Sequence, residues 1–323
     1  MTKERFRMTS HIRQKVIAIV GPTASGKSAW AVKLAKKFNG VVISADSRQV
    51  YKGLDVATAK ITETEMKNVP HFLLDVVKPT ENFDVATYQR LVYQLLKQID
   101  KHQLVARGKP LAVRTGGAKQ TKKNILPIIA GGTGLYVQAV LDGYVFSSAK
   151  PDLKLRAKLE AEPLEKLERQ LKKLNPEVKI DFKNPRRVIR ALEIALQQGS
   201  QPTKKHPKFD TLKIGIKLSS EEQEKRIVNR IRQMNFEKLA DETKKLISQK
   251  FNFNSNPLTA LYYRFAKDWV EKKITKSELI EKLIRADKQY AKRQMTWFKK
   301  DPAVHWVATY SEAQSLVDHY TQI

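Results

Sequence analysis

The chain has 323 residues, enough to bury a sizeable core as one large domain or a domain plus a smaller one. Its 61 Lys and Arg against 33 Asp and Glu give a formal net charge of +28; lysine-padded solvated faces would give the same sign, but the excess favours a polyanionic partner such as nucleic acid. The absence of cysteine excludes disulfides, thiolate zinc sites and cysteine nucleophiles, and no apolar run reaches the roughly 20 residues of a membrane span, so a cytoplasmic enzyme with no membrane attachment is expected.

In chain order, the β-branched run Val16–Val20 reads as a buried strand and leads into Gly21-Pro22-Thr23-Ala24-Ser25-Gly26-Lys27-Ser28, a complete G-x-x-x-x-G-K-[ST] phosphate loop. Apolar residues at helical spacing follow from Ala29. In this strand–loop–helix setting the glycines let backbone N–H groups turn around phosphate oxygens, and the helix N-terminus adds positive charge. Lys27 would neutralise terminal phosphates and the Ser28 hydroxyl would ligate Mg²⁺. A second strand, Val41–Ser44, ends just before Asp46. Ligands in open parallel sheets sit beyond the carboxyl ends of strands, which puts Asp46 near the phosphates as base or magnesium ligand, or else as a helix cap. Gln49 has the amide geometry to read an adenine edge.

The segment 107–123 is rich in Gly and Lys and reads as a surface loop. A further strand, Leu126–Ala130, runs into Gly131-Gly132-Thr133-Gly134, where glycines permit close backbone approach to a ligand and Thr133 offers a hydroxyl. From about Asp142 to Gly199 the pattern is helical and highly charged, as in Leu153–Glu168 and Pro185–Gln198, with no convincing strand. Asn184 and Pro185 open a helix as N-cap and first residue. Arg186 and Arg190 share one face of it; by itself that spacing reads first as an ordinary solvated face, though it also suits phosphate or base contacts. A strand at Leu212–Leu218 resumes the core, and Ser220 to Asp301 is again helical. A capping box at Thr275–Glu278 opens a helix whose Arg285, Lys288 and Lys292 form a basic stripe beside the buried positions Leu279, Ile280, Leu283, Ile284 and Ala291. The expected fold is a doubly wound α/β core with a P-loop parallel sheet flanked by helices, residues 1–141 and 206–323, interrupted by an all-helical insertion over 142–205.

Taken in order, G-P-T-A-S-G-K-S, A-D-S-R-Q-V-Y, Thr58-Ala59-Lys60, Pro70-His71, G-G-T-G-L-Y, N-P-R-R-V-I-R-A-L-E and Tyr290-Ala291-Lys292-Arg293-Gln294-Met295-Thr296-Trp297-Phe298 resemble the tRNA dimethylallyltransferase (tRNA isopentenyltransferase) family, from about Val16 to Trp306. The resemblance implies transfer of a dimethylallyl group from dimethylallyl diphosphate to N6 of the adenosine 3′ of the anticodon, in tRNAs reading codons that begin with U, the base being flipped into a channel. It implies Asp46 as general base and Thr23 near the reacting bridge oxygen. Gly21 to Ser28, with Arg226 and Arg230, would hold the diphosphate, and Ser28 would hold Mg²⁺. Asp46, Ser47, Arg48, Gln49 and Thr133 would contact tRNA, as would Pro185, Arg186, Arg187, Val188, Ile189 and Arg190 of the insertion and Arg285, Lys288 and Lys292. A monomer is expected.

Three positions depart from the family pattern. Phe72 stands where a second histidine is usual, Tyr262 replaces the glycine of an I-G-Y-K-E turn, and Asp287 replaces a threonine. A glycine implies close packing or positive φ, so Tyr262 predicts a rearranged corner. Three other functions remain open: a P-loop kinase of a nucleotide or small metabolite, an isopentenyltransferase acting on free AMP, and a non-catalytic RNA-binding protein. The kinase leaves the charge of +28 and the A-K-R-Q-M-T-W-F block unexplained. The AMP enzyme has little use for a helical insertion, and intact Thr23, Lys27, Ser28 and Asp46 argue against a dead fold.

Overall fold

A computed structural model of the chain describes residues 13–100, 125–197, 206–253 and 261–322; the expected loop at 107–123 lies outside them. The elements are, in order, β1 (Lys15–Val20), α1 (Lys27–Lys37), β2 (Gly40–Ser44), α2 (Glu63–Met66), β3 (His71–Phe72), α3 (Val85–Asp100), β4 (Leu126–Ala130) and α4 (Gly134–Leu141). There follow α5 (Leu153–Glu160), α6 (Leu164–Leu174), α7 (Pro185–Leu196), β5 (Asp210–Ile216), α8 (Ser220–Arg232), α9 (Phe236–Ser248), α10 (Leu261–Val270), α11 (Lys276–Phe298), β6 (Val304–Val307) and α12 (Tyr310–Gln322).

The chain divides into two compact units, one made of the residues up to Leu141 and from Lys208 onward, the other of Asp142–Pro207. The first holds one sheet of order β3-β2-β4-β1-β5-β6, every pair parallel. Alternation along β1 shows why its sequence is an unbroken apolar run. Val16, Ala18 and Val20 point into a cluster with Tyr88, Val92 and Leu95 of α3, whereas Ile17 and Ile19 point into another with Ala31, Val32 and Leu34 of α1. Both faces of the sheet are covered, as parallel sheets require. The strand expected at Leu212–Leu218 runs instead from Asp210 to Ile216. Two strands escaped the sequence reading: β3, of two residues, and β6, whose His305 is exposed and breaks the apolar run. Phe72 lies in β3 and is 2% exposed within the core, so an apolar side chain suits that position here.

In the second unit, α5, α6 and α7 pack around Leu159, Leu167, Leu171, Val188, Ile189 and Leu192. The helical run read over Leu153–Glu168 is broken into α5 and α6 at Pro163, which is the N-cap of α6 and lacks the N–H needed to continue a helix.

Candidate active site

The site is assembled where β1, β2 and β4 end side by side. Gly131 donates its N–H to the Ile19 carbonyl (3.2 Å), and the Ala45 and Thr133 amides bond Ala130 O (2.8 Å) and Ala45 O (3.1 Å). These bonds draw the phosphate loop, Asp46 and the G-G-T-G turn together. The missing side chains of that turn make room for neighbouring protein atoms. A Cβ on Gly131 would lie 2.2 Å from the Ala45 carbonyl oxygen, and one on Gly132 would lie 2.0 Å from Gln294 Nε2. Gly132 and Gly134 also line the cavity described below, as does Thr133.

The phosphate loop takes the winding its sequence predicts. Gly26, at φ 93°, is the N-cap of α1, and Ala24 adopts φ 59°, a left-handed conformation that costs a non-glycine residue about 1 kcal/mol. Two distant helices pin Thr23: its N–H donates to Gln294 Oε1 of α11 (2.7 Å), and its carbonyl accepts from Gln223 Nε2 of α8 (2.5 Å). Gln294 Nε2 in turn donates to Gly132 O (3.0 Å), so one carboxamide bridges the two glycine-rich turns. Lys27 Nζ donates to Pro22 O at 2.5 Å. Burial lowers the Lys27 ammonium to a pKa of about 8, an effect that Asp46 partly offsets and Arg230 reinforces, so Lys27, Asp46 and Arg230 share one electrostatic neighbourhood. Ser28 is exposed in the first turn of α1.

Arg226 and Arg230 play different parts. Arg226 donates from Nη1 to Ser25 O (3.2 Å) and from Nε to Glu222 (2.6 Å), bracing the loop from outside. Arg230 lines a cavity of about 600 Å³ together with Thr23, Asp46, Ser47, Arg48, Thr58 and Thr133. Burial alone would depress the Arg230 pKa, but Tyr262 and Asp287 beside it hold it above its ordinary value, and the guanidinium stays charged.

Asp46 Oδ1 accepts the amides of Arg48 (2.8 Å) and Gln49 (3.3 Å); among the described residues Oδ2 has no protein partner. Oδ1 thus caps the turn that follows β2. Thr133 Oγ1 accepts the Ser47 amide at 3.0 Å and fixes the same turn. Gln49 does not line the cavity. Its Nε2 donates to Thr58 O and Ala59 O (3.2 Å each) and its Oε1 accepts from Ser44, so the expected adenine reader is instead a brace of its own loop. Lys60 is likewise structural: buried, it bonds Asp55 (2.7 Å), Asp75 (2.5 Å) and Tyr51 O (2.8 Å).

The opposite wall comes from α11, with Ala286, Asp287, Tyr290, Arg293, Gln294 and Trp297. Sequence reasoning quoted most of these inside one block without assigning them to the site. The signal was available, because 286, 290, 293 and 297 recur at helical spacing on one face. Burial and the nearby Asp46 charge push the Tyr290 phenol up to about 12, so it is a neutral hydrogen-bonding group. Arg285, Lys288 and Lys292 are exposed on the adjoining face, with Lys288 paired to Glu224 at 2.5 Å. The Thr275–Glu278 capping box is present. Tyr262 sits in the first turn of α10 with no positive φ; the residues leading into that turn, where the rearranged corner was expected, lie outside the described ones.

In the second unit, Asn184 caps α7 by accepting the Arg187 amide (3.3 Å). Pro185, Arg186 and Arg187 are exposed, Arg187 lying 3.7 Å from Asp181. Three residues expected to touch tRNA are reassigned. Val188 and Ile189 are 0% and 6% exposed in the core of this unit and present no surface. Arg190 donates to Glu193 and to Ala149 O (2.8 Å), and Arg156 also binds Glu193 (2.8 Å). Burial would raise the Glu193 pKa, but Arg156, the Asp152 amide and Arg190 bring it below its ordinary value. Among the described residues no group of three His, Asp or Glu side chains is placed to hold a metal ion, and no helix is long and apolar enough to cross a membrane.

A wound phosphate loop, an acid at the neighbouring strand end and a cavity joining them define a P-loop α/β protein. The IPP transferase family model matches residues 49–117 and 112–301. The chain is 38% identical over 301 residues to the tRNA dimethylallyltransferase of Anoxybacillus flavithermus, covering 91% of this chain and 90% of the relative. A crystal structure of the full-length tRNA isopentenylpyrophosphate transferase of Bacillus halodurans, 34% identical, superposes with a TM-score of 0.68 over 96% of both chains. A eukaryotic dimethylallyltransferase captured acting on tRNA, 25% identical, gives 0.74 over 92% of this chain and 75% of its own. The chain belongs to the IPP transferase family.

Proposed function

We propose that the chain transfers the dimethylallyl group of dimethylallyl diphosphate to N6 of the adenosine 3′-adjacent to the anticodon, in tRNAs reading U-initial codons, and releases diphosphate. The observation that carries this reading is the cavity shared by Asp46, Thr23 and Arg230. It would let a flipped base and an allylic diphosphate meet without a third phosphate. The names of the relatives and the structural neighbour acting on tRNA support the same reaction, and nothing in them favours the kinase or free-AMP alternatives.

In this mechanism the adenine N6 attacks the allylic carbon as its bond to the bridging diphosphate oxygen breaks. Asp46 Oδ2 takes the N6 proton, which leaves the amine neutral. Lys27, Arg230 and the loop amides receive the negative charge that grows on the leaving group, and Thr23 sits beside the bridge oxygen. Arg48 and Ser47, at the cavity, and Thr133 position the base. Ser28 offers one exposed hydroxyl and no resident acidic cluster accompanies it among the described residues, a donor set suited to Mg²⁺ that arrives bound to phosphate oxygens. When bound, the ion would supply further charge neutralisation. The same reading takes the enzyme as a cytoplasmic monomer, with Arg186, Arg187, Arg285 and Lys292 gripping tRNA phosphates; light scattering of the pure protein checks the oligomeric state.

The decisive experiment supplies labelled dimethylallyl diphosphate with either total tRNA or AMP. Label in tRNA, mapped to the adenosine beside the anticodon, is expected. Label in AMP alone would overturn the reading.

A further inference from the structure

Two of the three positions at which this sequence departs from its family pattern meet at one side chain. Arg230 Nη2 donates to Tyr262 Oη at 2.8 Å and to Asp287 Oδ2. Tyr262 belongs to α10, Asp287 to α11 and Arg230 to α8, and all three line the cavity with Thr23 and Asp46. Tyr262 and Asp287 are each 5% exposed, so water does not compete strongly for these bonds. The same guanidinium has an Nε–H that is buried without a partner.

A flexible arginine loses rotamer entropy each time it grips an anion. Here one nitrogen is already saturated by acceptors from two helices, and the unpartnered Nε–H remains to be satisfied. Such a group is prepared for an anion before the anion arrives, and preorganisation of this kind raises affinity by removing an ordering cost. The Asp287 charge works in the other direction, because a diphosphate must share Arg230 with it. Replacing the carboxylate by a neutral acceptor separates the two effects.

We propose that Asp287, assisted by Tyr262, is a positioning residue for the allylic donor: it holds Arg230 in the cavity wall so that the guanidinium meets the diphosphate with little rearrangement. This rests on the transferase reading above.

The test measures steady-state transfer with donor and tRNA varied separately. Asp287→Ala is expected to raise the donor KM about tenfold, the order of one hydrogen bond to a charged group, with kcat and the tRNA KM within about twofold of the parent. Asp287→Asn, which keeps an acceptor oxygen, is expected to restore the donor KM to within about threefold. In an Arg230→Ala background, Asp287→Ala should add less than about twofold, because its effect passes through the arginine. A parent-like donor KM in Asp287→Ala overturns the proposal, as does a loss that persists undiminished without Arg230 or that falls equally on tRNA. Should Asp287→Ala fail to fold, Tyr262→Phe carries the test: a donor KM raised about threefold supports the proposal and an unchanged one overturns it. If the parent itself transfers nothing to tRNA, the transferase reading is at fault. The same variants are then compared by calorimetric binding of inorganic diphosphate, with the same pattern in Kd expected.

Discussion

With Asp46 Oδ1 committed to the Arg48 and Gln49 amides and Oδ2 free of partners among the described residues, a substitution can separate fold from chemistry at this residue. Asp46→Asn keeps an acceptor for the two amides but cannot take a proton. It should lower kcat by about 10²–10⁴ while equilibrium binding of donor and tRNA changes little; near-parent turnover would exclude Asp46 as the base. Lys27 gives a second prediction. Burial, only partly offset by Asp46, sets its pKa at about 8, so about half the free enzyme carries a neutral Lys27 at pH 8. An arriving diphosphate favours the charged form, so Lys27 should contribute an uptake of about half a proton at pH 8, approaching one as pH rises and vanishing toward pH 6.5. Calorimetry in buffers of different ionisation enthalpy reads this uptake, and Lys27→Ala should abolish it. In the free protein the sign is the reverse of a stabilising pair. The lowered value makes enclosing the charge costly below about pH 8, and that cost lifts as pH climbs toward the ordinary 10.5. The loop and Asp46 were legible in the sequence because their chemistry is local to strand ends. Tyr262 and Asp287 registered only as oddities, because their common partner Arg230 lies 32 and 57 residues away.

Helices and central strands were legible where periodicity is strong, as in β1, α7 and the capped start of α11, whereas edge strands were not. β3 has two residues and β6 four, too few for a pattern to emerge before tertiary pairing selects them. On α7 the Arg186/Arg190 spacing was read correctly but its use was not, because Glu193 is 0% exposed and draws Arg190 inward. Arg190→Ala should therefore destabilise the helical unit by about 1–3 kcal/mol, tempered by the remaining Arg156 bond. Chemical denaturation monitored at that unit measures it. Glu193 has a lowered folded pKa. The stability it lends is present above the ordinary carboxylate range and lost as pH falls through its folded value, so the deficit of the variant should shrink in acid.

Across the whole chain, the charge of +28 makes tRNA binding strongly salt-dependent if the protein grips mainly phosphates. Replacing both Arg186 and Arg187 by Ala should weaken tRNA binding and flatten the log–log salt slope by about one for each phosphate no longer neutralised, with kcat at saturating tRNA nearly unchanged. An unchanged slope would move the footprint to Arg285 and Lys292 on α11. The Gln294 carboxamide, which joins the Thr23 amide to the Gly132 carbonyl, has a consequence for how two substrates share one enzyme. The helix that bears these two exposed cations also carries the latch on the phosphate loop, so on the proposed reading a shift of α11 on engaging RNA would be passed to the loop proposed to hold the donor. Linkage is reciprocal: whatever factor a loaded donor site adds to RNA affinity, bound RNA must return to the donor, and replacing that one glutamine should change both factors by the same amount.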